Sequence, residues 1–414
     1  MAQQRSLKTA SPPELDEFAL LVPQPRKKAG HDGPRVGASA AVRILVLLTL
    51  ALCTAGIVVL GSASLVRAGA LTGDSFHFLR RQSLWLIAGM AAAVGTALFP
   101  YRYWRRLAPP LGLVSVALLV LVLVVGREIN GCRRWLELGP VNFQPSELAK
   151  FTTLLLLGYW YDRTPLRVGR FWRGLFVPGL FLGLVVGLVL MEPDFGATAM
   201  TAAAGGILIF VAGANLKALL PLGLVGVAGL FTYVRHNPRR WELIMAWIDP
   251  EAHPRLAFHY LEARKAFWFG GLWGVGYENS IEKHFYLPEV HTDFIFPVVA
   301  EELGLVGALA IVLLFIGFFA AGMIISARAP DFFGRLLAFG ITLLITLQVA
   351  FNLCVVTGLL PTKGLALPFF SYGGSNLLIT LVQCGILINI GVSAARHQAA
   401  SAESLDTGRL VWDL

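Results

Sequence analysis

Charge is scarce in this sequence. Asp, Glu, Lys and Arg make up 14% of its 414 residues, where soluble chains carry about 25%. With 56% hydrophobic residues and a mean hydropathy of +0.68, that scarcity excludes a water-soluble enzyme. Cysteine is sparse as well. Cys53, Cys132, Cys354 and Cys384 show neither disulfide-framework nor metal-ligand spacing, and all but Cys132 lie in apolar runs, so packing is their expected role. An early apolar run is also lacking: the first begins near Val42, so no signal peptide is expected, and residues 1–41 read as a disordered cytoplasmic tail. Without a fixed-period repeat or a break in composition, the rest reads as one polytopic membrane domain, 42–394, and a short cytoplasmic tail, 395–414.

What the chain does have is long apolar runs. At about 20 residues per crossing, candidate helices fall at Val42–Ala63, Leu84–Leu98, Leu107–Val125, Leu148–Trp160, Leu175–Met191, Ala197–Ala212, Leu216–Val234, Phe296–Ile325, Leu336–Leu360 and Gly374–Val392. The expected fold is an all-α integral membrane protein of about ten transmembrane helices. The net charge of +9 then reflects Lys and Arg retained on cytoplasmic loops, and no nucleic-acid partner is expected. With the N-terminus inside, the inner segments collect Arg102, Arg105, Arg106, Arg163, Arg167, Arg170, Arg173, Arg328, Arg335 and Arg396 besides the basic N-terminal stretch. The short outer connections hold fewer, so both termini are expected in the cytoplasm. The segment 235–292, between the seventh and eighth helices, becomes a large extracytoplasmic loop. Within it Tyr260–Gly270 sets Phe267, Trp268 and Phe269 beside Arg264 and Lys265. That pattern suits either a helix in the headgroup region contacting a phosphorylated lipid or ordinary interfacial anchoring.

Ionisable groups stand where the membrane should be apolar. Glu147 and Lys150 open the fourth run at positions i and i+3, on one helical face. Such groups usually face a bundle interior or a wet cavity and mark function, although an ion pair can also simply lock helices together. Before the eighth run, Glu289, His291 and Asp293 precede an aromatic and aliphatic stretch that also holds Glu301 and Glu302. An Asp at the rim of a bilayer cavity can act as a general base; it can also be a helix N-terminal acid, and His291 a hydrogen-bonded interfacial residue. Two outer connections are compact and polar: Arg133–Pro140, with Arg134 and Trp135, and Pro361–Asn376, with Lys363, Ser371, Ser375 and glycines that let backbone N–H groups approach an anion. Acids, bases and donors thus converge on the outer ends of several helices. An outward cavity beside lipid suits a substrate with a long hydrocarbon tail and a polar head.

The runs Arg134-Trp135, Gln144 to Lys150, Glu192-Pro193-Asp194-Phe195-Gly196, Leu287 to Phe296 with Glu301-Glu302-Leu303-Gly304, and Ser371 to Ser375 resemble the SEDS family, the bacterial shape, elongation, division and sporulation membrane proteins. The matches keep the family's order from Val42 to Val392. The resemblance implies a ten-span SEDS fold and an inverting peptidoglycan glycosyltransferase that polymerises lipid II outside the cytoplasmic membrane. Asn279-Ser280 with Lys283, Gly61 to Ser64 and Pro361 to Leu365 look closer to the division branch, whereas Ala300-Glu301-Glu302 is similar to the elongation branch. Glu262-Ala263, Pro297 and Asn376 depart from the usual pattern.

By that resemblance Asp293 matches the family's essential aspartate and is assigned as catalytic base. Arg134 and Lys150 are assigned to phosphate contact, Glu147 to orienting Lys150, Trp135 to packing on a sugar or prenyl segment, and Glu289, His291, Lys363, Ser371 and Ser375 to further substrate contact. No tightly bound cofactor is expected, and Mg2+ or Mn2+ held loosely at the pyrophosphate would leave no motif. The implied partners are lipid II, the growing glycan strand, a class B penicillin-binding transpeptidase and other division proteins at the septum. A transporter of the same lipid precursor, and a noncatalytic scaffold, are the competing classes; clustering of the polar groups toward one face and the lack of an inverted repeat count against transport.

Overall fold

The computed structural model describes residues 37–129, 132–139, 141–164, 171–280, 292–362 and 364–412. Glu289, His291 and Lys363, together with most of the expected N-terminal tail, lie outside the described residues.

The apolar runs form helices α1 (Ala38–Thr72), α2 (His77–Leu98), α3 (Arg102–Val125), α4 (Pro145–Arg163), α5 (Val177–Met191, preceded by a π-helical turn at Phe171–Phe176), α6 (Phe195–Val211) and α7 (Leu216–His236). Two short helices follow, α8 (Pro238–Ile248) and α9 (Phe258–Gly270), then three long ones, α10 (Ile295–Arg328), α11 (Phe332–Val356) and α12 (Gly374–Trp412). Each of the ten expected segments falls on one of the other helices, and α8 and α9 occupy the segment expected as the large loop. Seven helices among the described residues are long and apolar enough to cross a membrane. Polar residues dilute two others: α2 opens on Arg80, Arg81 and Gln82, and α4 on Ser146, Glu147 and Lys150. The chain is a multi-pass membrane protein.

Local chemistry fixes the helix starts. Pro145 sits in the first turn of α4, where its missing N–H costs nothing. Asp194, Asn215, Asn237 and Asp331 each accept a backbone N–H as the N-cap of α6, α7, α8 and α11. Pro297 is buried in the first turn of α10 and is accommodated for the same reason as Pro145.

Lipid replaces water around such a bundle, so side chains facing outward remain apolar. Leu113, Val124, Leu180 and Leu224 are all exposed, while the polar Ser146, Lys150, Thr153 and Gln348 are buried. Packing centres on α12 along α2, α1 along α10, α3 along α4 and α10 along α11. Helix α4 is buried along most of its length and touches α3, α6 and α11. Helix α7 is the opposite case, with no buried residue. Between α3 and α4 stand three short antiparallel strands, β1 (Arg127–Ile129), β2 (Cys132–Leu138) and β3 (Val141–Phe143), with β2 central. Their register pairs Arg127 with Trp135 and Leu136 with Phe143.

Candidate active site

A cavity of about 360 Å3 opens where β2, the starts of α4 and α6, the approach to α10 and the segment before α12 meet. Its wall includes Arg134, Trp135, Gln144, Glu147, Asp194, Arg240, Asp293, Tyr372 and Asn376. Four of the residues singled out from sequence, Arg134, Trp135, Glu147 and Asp293, therefore share one chamber.

Asp293 precedes α10, with its side chain partly exposed to the chamber. Its carbonyl oxygen accepts a hydrogen bond from Asn352 Nδ2 at 2.9 Å, and the same amide donates to Leu365 O at 2.6 Å. One buried amide on α11 thus ties together the approach to α10 and the loop before α12. That loop runs close beside the carboxylate: a Cβ placed on Gly364 would stand 2.6 Å from Asp293 Oδ2.

Also in the cavity wall, Arg134 on β2 lies 3.6 Å from Asp194 Oδ2, which also accepts Gln144 Nε2 at 3.2 Å. The other Asp194 oxygen accepts the Ala197 N–H at 3.1 Å. Asp194 is thereby a helix cap and a clamp for Arg134. Burial works most strongly against the Arg134 charge, but Asp194, Cys132 and, least, Asp293 together outweigh it and raise the guanidinium pKa. Arg240, from α8, donates to Pro193 O at 3.2 Å and lies 4.4 Å from the Phe195 ring centroid. Two guanidiniums therefore face one chamber with Asp293.

Lys150 is not in the wall. It is 2% exposed and lies behind Glu147, donating to Glu147 Oε1 at 2.9 Å and Gln348 Oε1 at 3.2 Å. Asn376 Nδ2 donates to Glu147 Oε2 at 3.0 Å, and Gln348 Nε2 to Ala366 O at 2.9 Å. This chain of bonds joins α4, α11 and the start of α12, and Glu147 and Asn376 are the side chains it shows to the cavity. Ser371 and Ser375 are buried and bound to backbone: Ser371 Oγ accepts Leu367 N–H at 2.7 Å, and Ser375 Oγ donates to Asn142 O at 3.2 Å and accepts Gln144 N–H at 3.2 Å. They shape the wall without lining it.

Sequence reasoning passed over Asp194, Arg240, Gln144, Gln348 and Asn352. Asp194 stood in a quoted motif, and Gln348 and Asn352 sit one turn apart inside an apolar run, a visible signal. Arg240 had no such signal, since a long loop gives no clue to which of its arginines folds back. Among the described residues no three His, Cys, Asp or Glu side chains are grouped to hold a metal ion.

The sequence pattern of the FtsW/RodA/SpoVE family, described as cell cycle proteins, matches residues 43–396. The chain belongs to this family. Among relatives of these SEDS proteins it is 41% identical over 350 residues to a probable peptidoglycan glycosyltransferase FtsW of Trichlorobacter lovleyi, covering 84% of this chain and 92% of that one. It is 38% identical to the counterpart so named in Coxiella burnetii, over 84% of this chain and 95% of the relative. The fold is similar to that of a chain in a peptidoglycan synthase complex that coordinates polymerization and crosslinking, with a TM-score of 0.72 and 34% identity over 84% of this chain and 97% of the other. It is also similar to the rod shape determining protein RodA of Thermus thermophilus, with a TM-score of 0.64 and 32% identity over 84% and 96% of the two chains. The SEDS fold expected from the motifs is the fold observed.

Proposed function

We propose that this chain is a peptidoglycan glycosyltransferase that polymerises lipid II at the outer face of the cytoplasmic membrane, in septal synthesis during cell division. The observation that carries the mechanism is the chamber in which Asp293 shares a wall with Arg134 and Arg240. The relatives named FtsW favour the division role over the elongation role.

Chain growth joins a sugar 4-hydroxyl of incoming lipid II to the anomeric carbon of the growing strand. The carbon–oxygen bond to lipid pyrophosphate breaks with inversion, and the hydroxyl proton must leave. Asp293 takes that proton. The departing pyrophosphate gathers negative charge, which two guanidiniums held in place before the reaction stabilise without reorganising. Arg134 is held by Asp194 and Arg240 by Pro193 O and the Phe195 ring. Lys150 supports Glu147 from behind rather than reaching the pyrophosphate. Trp135 offers a flat apolar face for a sugar or prenyl segment. Mg2+ or Mn2+ would supply charge neutralisation at the pyrophosphate, where among the described residues no three His, Cys, Asp or Glu side chains are grouped to hold it; no step depends on it.

The partner is a class B penicillin-binding transpeptidase, with other division proteins around it. Support comes from the similarity to a chain of a synthase complex that both polymerises and crosslinks. The test is polymerisation of lipid II by the purified chain, with and without the cognate transpeptidase. Wild type is expected to make glycan strands, and Asp293→Asn to lose about 10²–10⁴-fold in rate while still binding the transpeptidase. Near-wild-type strands from Asp293→Asn would overturn the base assignment. Transbilayer movement of lipid II in vesicles without strands would favour a transporter.

A further inference from the structure

The opposite end of α4 carries a second chamber, of about 640 Å3, formed by the start of α3, the end of α4 and the start of α11. At about 1.5 Å per residue, the stretch of α4 from Glu147 to Arg163 spans roughly 24 Å, close to the thickness of a bilayer's hydrocarbon core. The two chambers therefore lie at opposite membrane surfaces. The second is lined by Arg102, Arg105, Arg106 and Arg163 with Tyr159 and Asp331.

Two of those arginines are already neutralised. Arg105 pairs with Asp162 at 2.8 Å and Arg102 with Asp331 at 3.4 Å, while Tyr101 donates to the same Asp331 oxygen at 2.6 Å. The other two are not. Among the described residues no carboxylate lies within ion-pair distance of Arg106 or Arg163; Arg163 donates to Tyr159 Oη at 2.7 Å and lies over its ring at 5.1 Å, and Arg106 lies 5.7 Å from the Tyr103 ring centroid. Stacked guanidiniums are oriented and keep donors free for an oxyanion. Pro109 lines the chamber, and along the same stretch of chain Phe99, Tyr103, Leu107 and Leu113 are exposed. A cationic chamber of ligand size, open to lipid along one helix, matches a molecule with an anionic head and an acyl tail.

We propose that this chamber binds the phosphate headgroup of an anionic phospholipid from the leaflet opposite the Asp293 cavity, with Arg106 and Arg163 as its charged contacts and an acyl chain against Leu107 and Leu113. Retention on basic loops alone would scatter arginines in water; here they converge on one chamber, and among the described residues two of them have no carboxylate partner. The site is independent of the polymerisation chemistry, so its test needs no activity.

Native mass spectrometry of the full chain in neutral detergent, titrated with phosphatidylglycerol, phosphatidylcholine or inorganic phosphate, reads it directly. Phosphatidylglycerol is expected to be retained in preference to phosphatidylcholine. Replacing both Arg106 and Arg163 by Gln should weaken it by about five-fold for each charge removed, whereas replacing both by Lys should keep most of the binding. Equal retention of the two lipids, unchanged binding in the Gln variant, or equal loss in the Lys variant would overturn the proposal. Displacement of the phospholipid by millimolar inorganic phosphate would reassign the chamber to a soluble phosphate compound and overturn the lipid occupant.

Discussion

Gly364 shows how closely the backbone approaches the proposed base. A methyl group there would stand 2.6 Å from Asp293 Oδ2, the movable tip of a side chain, so Gly364→Ala is accommodated by turning the carboxylate rather than by unfolding. Because misplacing a catalytic group by about 1 Å can cost about 10²-fold, this variant is expected to keep its thermal midpoint and lose polymerisation by that order. A large fall in the midpoint, with activity lost only in proportion, would count against placing Asp293 at the reaction centre. Glu192 gives a second residue-scale test. Both its oxygens are buried and have no hydrogen-bond partner among the described residues, and burial, with the charge of Asp194 adding and Arg134 opposing, pushes its carboxyl up to about 8. An acid whose pKa is higher folded than unfolded binds its proton more tightly in the folded chain. Its contribution is full below the ordinary 4.5 and is lost as pH rises to about 8. Thermal midpoints in detergent should fall over that interval, and Glu192→Gln, a permanently neutral analogue, should flatten the fall; an identical slope in the variant would contradict the assignment.

At the scale of elements, the device that carries Asp293 is a broken helix. Helix α10 changes course at Gly304, which has φ 68° and ψ −171°, a region open essentially to glycine alone. The interrupted bonds are replaced by the segment after α9: Val275 and Gly276 donate to Glu301 O and Glu302 O at 2.9 and 3.1 Å, and Leu305 and Val306 donate to Gly271 O and Leu272 O at 3.0 and 3.2 Å. A Cβ on Gly304 would stand 2.4 Å from Gly274 N, a backbone atom that cannot turn aside. Gly304→Ala should therefore cost about 1–3 kcal/mol or more and lower the thermal midpoint clearly. In the same assay Gly95→Ala, on an open face of α2, should be neutral or slightly stabilising. None of this was legible as a pattern, since Leu303-Gly304-Leu305 reads as continuous apolar helix. The same limit hid the strands between α3 and α4, whose three-residue outer members are too short to show alternation. Length and apolar composition, by contrast, located helices, since each of the ten apolar segments falls on one and seven of these are long and apolar enough to cross a membrane, because a bilayer leaves a chain few other ways to satisfy its backbone. Glu147 and Asp293 were legible because charge is costly in or beside an apolar run, and Arg134 because its connection is short and polar; Lys150 lies one layer behind the wall, since sequence shows a helical face but not its depth.

For the whole molecule, the two chambers at the ends of α4 give the topology a physical basis. The end with Arg102, Arg105, Arg106 and Arg163 joins connections that hold many of the chain's arginines, and such clusters stay on the cytoplasmic side because moving them across is costly. With that end cytoplasmic, as the proposed topology requires, the Asp293 chamber one bilayer away would face outward, where a glycan strand must grow. Arg240 of α8 lines the Asp293 cavity, and Trp268 on α9 and Trp273 just after it are exposed, a residue type favoured at membrane interfaces. We expect Glu251→Cys, exposed between α8 and α9, to react with a membrane-impermeant maleimide in intact cells, and Gln398→Cys near the end of α12 to react only after permeabilisation, in a background without the four native cysteines. The reverse pattern would put the Asp293 cavity in the cytoplasm, where lipid-linked precursors are assembled rather than polymerised, and would remove the basis for the polymerase mechanism. Labelling of both positions in intact cells would leave one terminus outside and require an odd number of crossings, against the ten helices that the fold pairs with the ten apolar segments.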